Sequence, residues 1–477
     1  MPESLKQKTV ISMAWSGIER FSTAGVSFLF GLIMARLLKP SDYGMIAMLG
    51  IFMAISQTFI DSGFSSALIR KPNRTEADNA TAFYFNIIVG LVCYLVLFFT
   101  APFIARFYNT PQLTILTRII ALNLMFNSLC VVQQALLTIR LDFKTQAKIS
   151  LTGVILSGIA GVILAYKGFG VWALVIQSVL SSVIRTLLLW WLAKWRPQTP
   201  FSRESFHYLF SFGSKILASG LLDTIYNNIY TIVIGKKFSS VKLGLYARAD
   251  QWAQFPSVNI TGILQRVSFP VLSTIQNEDK RLSIDYRKFL RLSGFIIFPL
   301  MTGMAAVADP LIRIILTDKW AGTIPLLQIL CFSLMWYPIH AINLNLLQVK
   351  GRSDLFLKLE IYKKIIGVGI LCITIPLGLI AMCIGQVISS ILCLALNTHY
   401  TGLLIHLGFL RQMKDLFPTL TNSLVMGGLV FVSIHFIPYL GLKLIIGILI
   451  GTAYYILSNI LFHTMEWNEF ISIIKHR

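Results

Sequence analysis

The chain has 477 residues, of which 56% are hydrophobic and 13% charged, and its formal net charge is +21. A mean hydropathy of +0.73 leaves too little polar surface for an ordinary soluble fold of this length. The positive charge does not indicate a nucleic-acid partner, because the Lys and Arg residues sit in short breaks between apolar runs and form no basic tail.

Lys6 and Lys8 precede an apolar stretch that continues to about Leu38. This is longer than a signal-peptide core, so it reads as an uncleaved first span. Apolar runs long enough to cross a hydrocarbon core of about 30 Å predict six spans over 10–35, 43–68, 80–104, 112–138, 147–166 and 170–193. Six more follow over 211–235, 246–274, 288–308, 322–348, 355–376 and 377–400, and a last pair over 416–437 and 438–462. The division inside Leu355 to Tyr400 rests on Pro376 and Gly378, which interrupt a run too long for one crossing. The expected fold class is therefore all-α, an integral membrane protein of about 14 transmembrane helices. With the N-terminus inside, cytoplasmic segments hold more than twice as many Lys and Arg as external ones, which predicts that both termini are cytoplasmic.

An internal echo organises these spans. Ala35-Arg36-Leu37-Leu38, Gly44 and Ala47 are matched 200 positions on by Gly235-Lys236-Lys237-Phe238, Gly244 and Ala247. Leu136-Leu137-Thr138-Ile139-Arg140 is matched at a similar offset by Leu346-Leu347-Gln348-Val349-Lys350. Such a repeat predicts two six-helix lobes related by a parallel pseudo-two-fold axis along the membrane normal, with a site at their interface. The expected divisions are 1–200 for the N-terminal lobe, 201–405 for the C-terminal lobe, and 406–477 for helices thirteen and fourteen with a cytoplasmic tail.

Ionisable groups inside a span cost roughly 2.5–3.5 kcal/mol each on insertion scales, so their presence points to function. Span one carries Ser16, Arg20, Thr23 and Ser27 at helical spacing, with Glu19 on another face. Span two carries Gln57, Asp61 and Ser65; span seven carries Lys215, Ser219, Asp223 and Asn227 or Tyr226; span eight carries Arg248, Gln251, Asn259 and Arg266. Facing one another, these stripes would line a water-filled cavity; packed shut, they would be interhelical hydrogen-bond glue. Arg20 and Arg266 suit forked hydrogen bonds to a phosphate or pyrophosphate. Arg20 equally suits an ion pair with Asp61 or Asp223. Asp61 or Asp223 could also exchange protons. Pro256 is expected to kink span eight. His340, Asn343 and Asn345 suit a proton relay or hydrogen-bonded packing, and Trp190, Trp191 and Trp195 suit interfacial anchors. The six cysteines form no CxxC pair and read as packing. No Walker loop, metal cluster or catalytic triad is recognisable, so neither a cofactor nor a metal is expected.

Several strings resemble the polysaccharide transporter family of the multidrug/oligosaccharidyl-lipid/polysaccharide superfamily. They are Ala35-Arg36-Leu37-Leu38 to Gly44, Asp61-Ser62-Gly63 to Ala67-Leu68-Ile69-Arg70, Gly244-Leu245-Tyr246-Ala247-Arg248, and Phe269-Pro270-Val271-Leu272-Ser273. The likeness covers nearly the whole chain and is greatest to O-antigen and colanic-acid type exporters. It implies a flippase of the bacterial inner membrane that serves lipopolysaccharide, capsule or exopolysaccharide synthesis. The implied substrate is an undecaprenyl-pyrophosphate-linked oligosaccharide, with transport coupled to protons, sodium or the membrane potential. On that reading the substrate cavity draws on Arg20, Arg266, Arg248, Gln57, Asn227, Gln251 and Asn259, and ion coupling on Asp61, Asp223 and Glu19. Two other functions compete. A multidrug antiporter of the same superfamily would favour an acidic cavity. A membrane-embedded polymerase or glycosyltransferase would need a large external catalytic loop, and none is expected here.

Overall fold

The computed structural model describes residues 5–61 and 63–469, with side chains from Trp15 onward, and all regular secondary structure among them is helical. The chain divides by its internal contacts into two units, Met1–Gly244 and Leu245–Arg477. The first contains α1 (Leu5–Leu37), α2 (Pro40–Asp61), α3 (Phe64–Arg70), α4 (Glu76–Phe107), α5 (Leu113–Ile120), α6 (Leu122–Ser128), α7 (Val131–Ile139), α8 (Phe143–Tyr166), α9 (Val171–Leu192), α10 (Arg203–Asn227) and α11 (Ile229–Lys237). The division falls within α12 (Ser240–Thr274). The second unit continues with α13 (Asp279–Ala306), α14 (Ala308–Ile315), α15 (Thr323–Leu334), α16 (Tyr337–Val349), α17 (Ser353–Thr374), α18 (Leu379–Ile405), α19 (Phe409–His435) and α20 (Leu440–Leu461).

Ten membrane-crossing candidates, some of them joined helices, are long and apolar enough among the described residues, or eleven if the bent α5 to α7 segment counts as one. The helices that overlap predicted spans 211–235, 246–274 and 355–376 are not among them. Their composition gives the reason: α10 carries Lys215 and Asp223, α12 carries Arg248, Asp250 and Arg266, and α17 carries Lys358, Glu360, Lys363 and Lys364. The predicted break near Pro376 is present: α17 ends at Thr374, a short 3-10 turn covers Ile375–Leu377, and Gly378 takes φ 100° before α18 begins. Only glycine adopts that backbone without strain. Predicted span 112–138 is instead three short helices, with a bend of 41° before α7. Pro256 lies inside α12, which remains one helix through it.

In the first unit α1 packs along α8, α8 along α9, and α10 against α2, α3 and α4. A buried core joins Phe64, Leu68, Phe83, Val132, Trp195 and Leu209 from α3, α4, α7, α10 and the chain after α9. Trp195 is only 8% exposed and donates from Nε1 to both carboxylate oxygens of Glu76 at 3.0 and 3.1 Å. Its expected role as an interfacial anchor is therefore corrected: the indole is a core residue with a satisfied N–H. Trp190 donates to the Leu129 carbonyl at 3.1 Å, and Trp191 is the exposed member of the three. The start of α4 is closed by a capping box in which Thr75 and Asp78 satisfy each other's backbone N–H groups. The fully buried Asp78 carboxylate also pairs with Lys71 at 2.8 Å.

At the N-terminus of α2 the packing depends on glycine. A Cβ on Gly44 would stand 1.8 Å from the Ser240 carbonyl oxygen, and one on Gly244 would stand 1.8 Å from the Pro40 carbonyl oxygen. The contact is reciprocal, each glycine taking the carbonyl that precedes the other by four residues, so a side chain at either position would force the two backbones apart.

In the second unit α13 packs on α19, α19 on α20, and α15 and α17 on α18. A buried polar network is set into this bundle: Asn343, Thr401 and Gln412 exchange hydrogen bonds of 2.9–3.1 Å, and Asn345 meets Ser268 and Gln265 at 3.3 Å. His340 is held between Ser390 and Asn397 at 3.2 and 2.9 Å. Of the two readings of His340, Asn343 and Asn345, these bonds are those of hydrogen-bonded packing.

Candidate functional site

The ten candidates divide between the units, with Glu19, Arg20, Gln57, Asp61, Asp223 and Asn227 in the first and Arg248, Gln251, Asn259 and Arg266 in the second. In the first unit, Gln57 and Asp61 lie one turn apart on α2, and the Gln57 amide donates to Asp61 at 2.9 Å. Asn127 at the end of α6 donates in turn to the Gln57 carbonyl oxygen at 3.0 Å. Arg185 on α9 is a cation within electrostatic reach of Asp61 and donates to Gln134 on α7 at 2.7 Å. The sequence pattern left Arg185, Gln134 and Asn127 out. Arg185 lies inside predicted span 170–193, but nothing in its own helix tied it to α2; tertiary packing supplies that link.

Arg20 is exposed on α1, and its side chain makes no ion pair or hydrogen bond among the described residues. The proposed ion pair of Arg20 with Asp61 or Asp223 is therefore not formed in this structure. Glu19, on the adjacent face, accepts from Ser150 of α8 at 2.9 Å, so its carboxylate bonds the α1–α8 seam. Asp223 and Asn227 lie on exposed positions of α10, one turn apart. Between them and α2, Thr58 and Thr224 share a hydroxyl contact of 3.1 Å, which fixes the register of the two helices.

In the second unit the candidates fare differently from one another. Arg248 is 5% exposed, donates to Gln251 at 2.8 Å and lies 5.4 Å from the centre of the Trp320 ring. That stacking and burial give it a packing role in this conformation. Asn259 spends an amide N–H on the Phe255 carbonyl of its own helix at 2.6 Å. Arg266 is exposed two turns farther along α12, and its guanidinium has no ion pair or hydrogen bond among the described residues. Arg20 and Arg266 are thus two exposed guanidiniums on otherwise apolar or weakly polar helix faces, available to an anion, whereas Arg248 is engaged.

An all-helical fold with ten or eleven apolar spans among the described residues, and with ionisable groups set inside several long helices, defines a multi-spanning membrane protein. The chain belongs to the polysaccharide biosynthesis protein family, whose model matches residues 33–325. It is similar to the teichuronic acid biosynthesis protein TuaB of Bacillus subtilis (strain 168), 27% identical over 358 residues that cover 74% of each chain. It is also similar to the lipopolysaccharide biosynthesis protein WzxC of Escherichia coli (strain K12), 25% identical over 83% of this chain and 80% of that one. The succinoglycan biosynthesis transport protein ExoT of Rhizobium meliloti (strain 1021) is 25% identical over 70% and 68%. Among solved structures, lipid II flippase MurJ in an inward closed conformation has a similar fold, with a TM-score of 0.75 and 15% identity over 94% of this chain and 98% of that one. An inward-facing multidrug resistance MATE family transporter follows at a TM-score of 0.62 and 16% identity, over 79% and 95%.

Proposed function

We propose that this protein is a flippase that carries an undecaprenyl-pyrophosphate-linked oligosaccharide across the bacterial inner membrane by alternating access. Membership of the polysaccharide biosynthesis family, together with a fold similar to a lipid II flippase, carries this reading. The relatives named for lipopolysaccharide, teichuronic acid and succinoglycan synthesis support a saccharide cargo. The protein is on this reading a carrier rather than an enzyme. It has about fourteen crossings when the bent α5 to α7 segment and the polar α10, α12 and α17 are added to the ten apolar ones. The reciprocal Gly44 and Gly244 contact, at positions offset by 200, supports two lobes over 1–200 and 201–405, with 406–477 outside the repeat. Both termini are cytoplasmic.

Arg20 and Arg266 grip the pyrophosphate, and the less specific polar wall of Gln57, Asn227, Gln251, Asn259 and Arg248 accepts the sugar. Asp61, Asp223 and Glu19 serve coupling to protons or sodium. The polyprenyl tail is too apolar for a wet cavity and stays in the bilayer. With the cell interior negative, outward movement of the anion is favoured by roughly 2.3 kcal/mol per charge per 100 mV, so the potential alone can supply drive. The test is an Arg20→Ala, Arg266→Ala double variant at normal membrane abundance. It should accumulate the unflipped lipid-linked intermediate and lose surface polysaccharide; normal surface polymer would reject the assignment. A multidrug antiporter, the second reading suggested by the MATE fold likeness, would instead show cation export that survives this double variant.

A further inference from the structure

The N-terminal ends of α13 and α19 and the C-terminal end of α18 enclose a cleft of about 810 Å³ within the second unit. All three helices are apolar enough to cross the membrane, so the cleft lies where span ends meet water. Its walls combine two chemistries. Ile284, Leu404 and Leu407 supply aliphatic surface, and Lys280, Arg411 and Lys414 supply charge.

The two acids in the lining are already neutralised. Asp415 receives two parallel hydrogen bonds from Arg287, at 2.7 and 2.6 Å, with Arg291 at 4.0 Å behind it. Asp279 receives Lys350 at 2.6 Å. What remains uncompensated is cationic. Lys280 and Lys414 make no ion pair or hydrogen bond among the described residues. Arg411 spends one donor on the His406 carbonyl, at 2.7 Å, and keeps the rest of its fork. That bond, with the 3.0 Å bond from Gln412 to the Leu407 carbonyl, holds the short connection between α18 and α19 in place.

We infer that this cleft binds the headgroup of an anionic membrane phospholipid, its phosphate between Lys280, Lys414 and Arg411 and its acyl chains leaving along the aliphatic wall into the bilayer. Basic pockets between helices at a membrane surface hold such headgroups through the same pairing of cation and apolar stem. A free phosphate would use the cations and leave the aliphatic wall exposed, which is why the lipid is the better occupant. Neither Arg20 nor Arg266 lines this cleft, and the inference stands whether or not the transport reading holds.

The test is native mass spectrometry of the full-length protein in detergent, with phosphatidylglycerol and zwitterionic phosphatidylethanolamine as probes. Phosphatidylglycerol should be retained preferentially. Lys280→Gln with Lys414→Gln should weaken that retention about fivefold per cation removed. Leu404→Trp, which fills the cleft and keeps every charge, should weaken it as well, while inorganic phosphate should compete poorly. Unchanged unfolding temperature in both variants separates site loss from misfolding. Equal retention of the two lipids, undiminished retention of phosphatidylglycerol by the double variant, or full displacement by inorganic phosphate would each overturn the proposal. So would loss of bound undecaprenyl pyrophosphate, but not of phosphatidylglycerol, in the double variant, because that would give the cleft to the substrate.

Discussion

Arg20 and Arg266 are guanidiniums whose side chains make no ion pair or hydrogen bond among the described residues, and the chemistry expected of each follows from that. A guanidinium offers a planar fork to a pyrophosphate, whereas an ammonium offers only a point charge. Arg20→Lys and Arg266→Lys should therefore retain part of the transport activity and the alanine variants should lose most of it, read as surface polymer against membrane protein level. Asp78 is a different kind of charged residue. It is fully buried, caps α4 and pairs with Lys71, so its work is structural. Asp78→Asn keeps the shape and removes the charge; it should cost about 2 kcal/mol through the weakened charged hydrogen bonds, seen as a lower unfolding temperature in detergent. Trp195→Phe should likewise destabilise, since it leaves the Glu76 carboxylate without its indole donor.

Among the elements, the starts of α2 and α12 meet with no room for a side chain. Gly44→Ala and Gly244→Ala each place a Cβ 1.8 Å from a backbone carbonyl, which cannot be relieved by a rotamer change. Each should cost about 1–3 kcal/mol, as overpacking does, and should lower the unfolding temperature. Gly50→Ala on the same helix is the control, because nothing lies within 4 Å of its added Cβ; its stability should be unchanged or slightly raised. The polar helices α10, α12 and α17 show why composition alone gives ten or eleven crossings. The groups that lower their apolarity include Lys215, Asp223, Arg248 and Arg266, which are the same groups that make them candidates for function.

For the whole molecule, the proposed topology makes a test that does not depend on any side-chain role. Reporter fusions in the segment from Lys194 to Arg203 and after Arg477 should read cytoplasmic, and one after Lys242 should read external. A cytoplasmic signal at Lys242 would reject the arrangement of fourteen crossings, because it removes or adds an odd number of spans before α12.

The all-helical class, the break at Pro376 and Gly378, and the membership suggested by short strings were legible in the sequence, because they depend on local quantities. Run length against bilayer thickness, the fixed φ of proline and the left-handed freedom of Gly378 act within a few residues. Partners were not legible, because they depend on which helix faces meet. The sequence placed Gln57, Asp61 and Arg20 on polar stripes, but only packing decided that Gln57 is held by Asn127, that Arg185 from α9 comes within electrostatic reach of Asp61, and that Glu19 is taken by Ser150. Trp195 looked like an anchor from its place after α9 and is a core residue because α3, α4, α7 and α10 close over it. The cleft at Lys280 and Lys414 joins residues more than a hundred positions apart, and no periodicity within one helix could have brought them together.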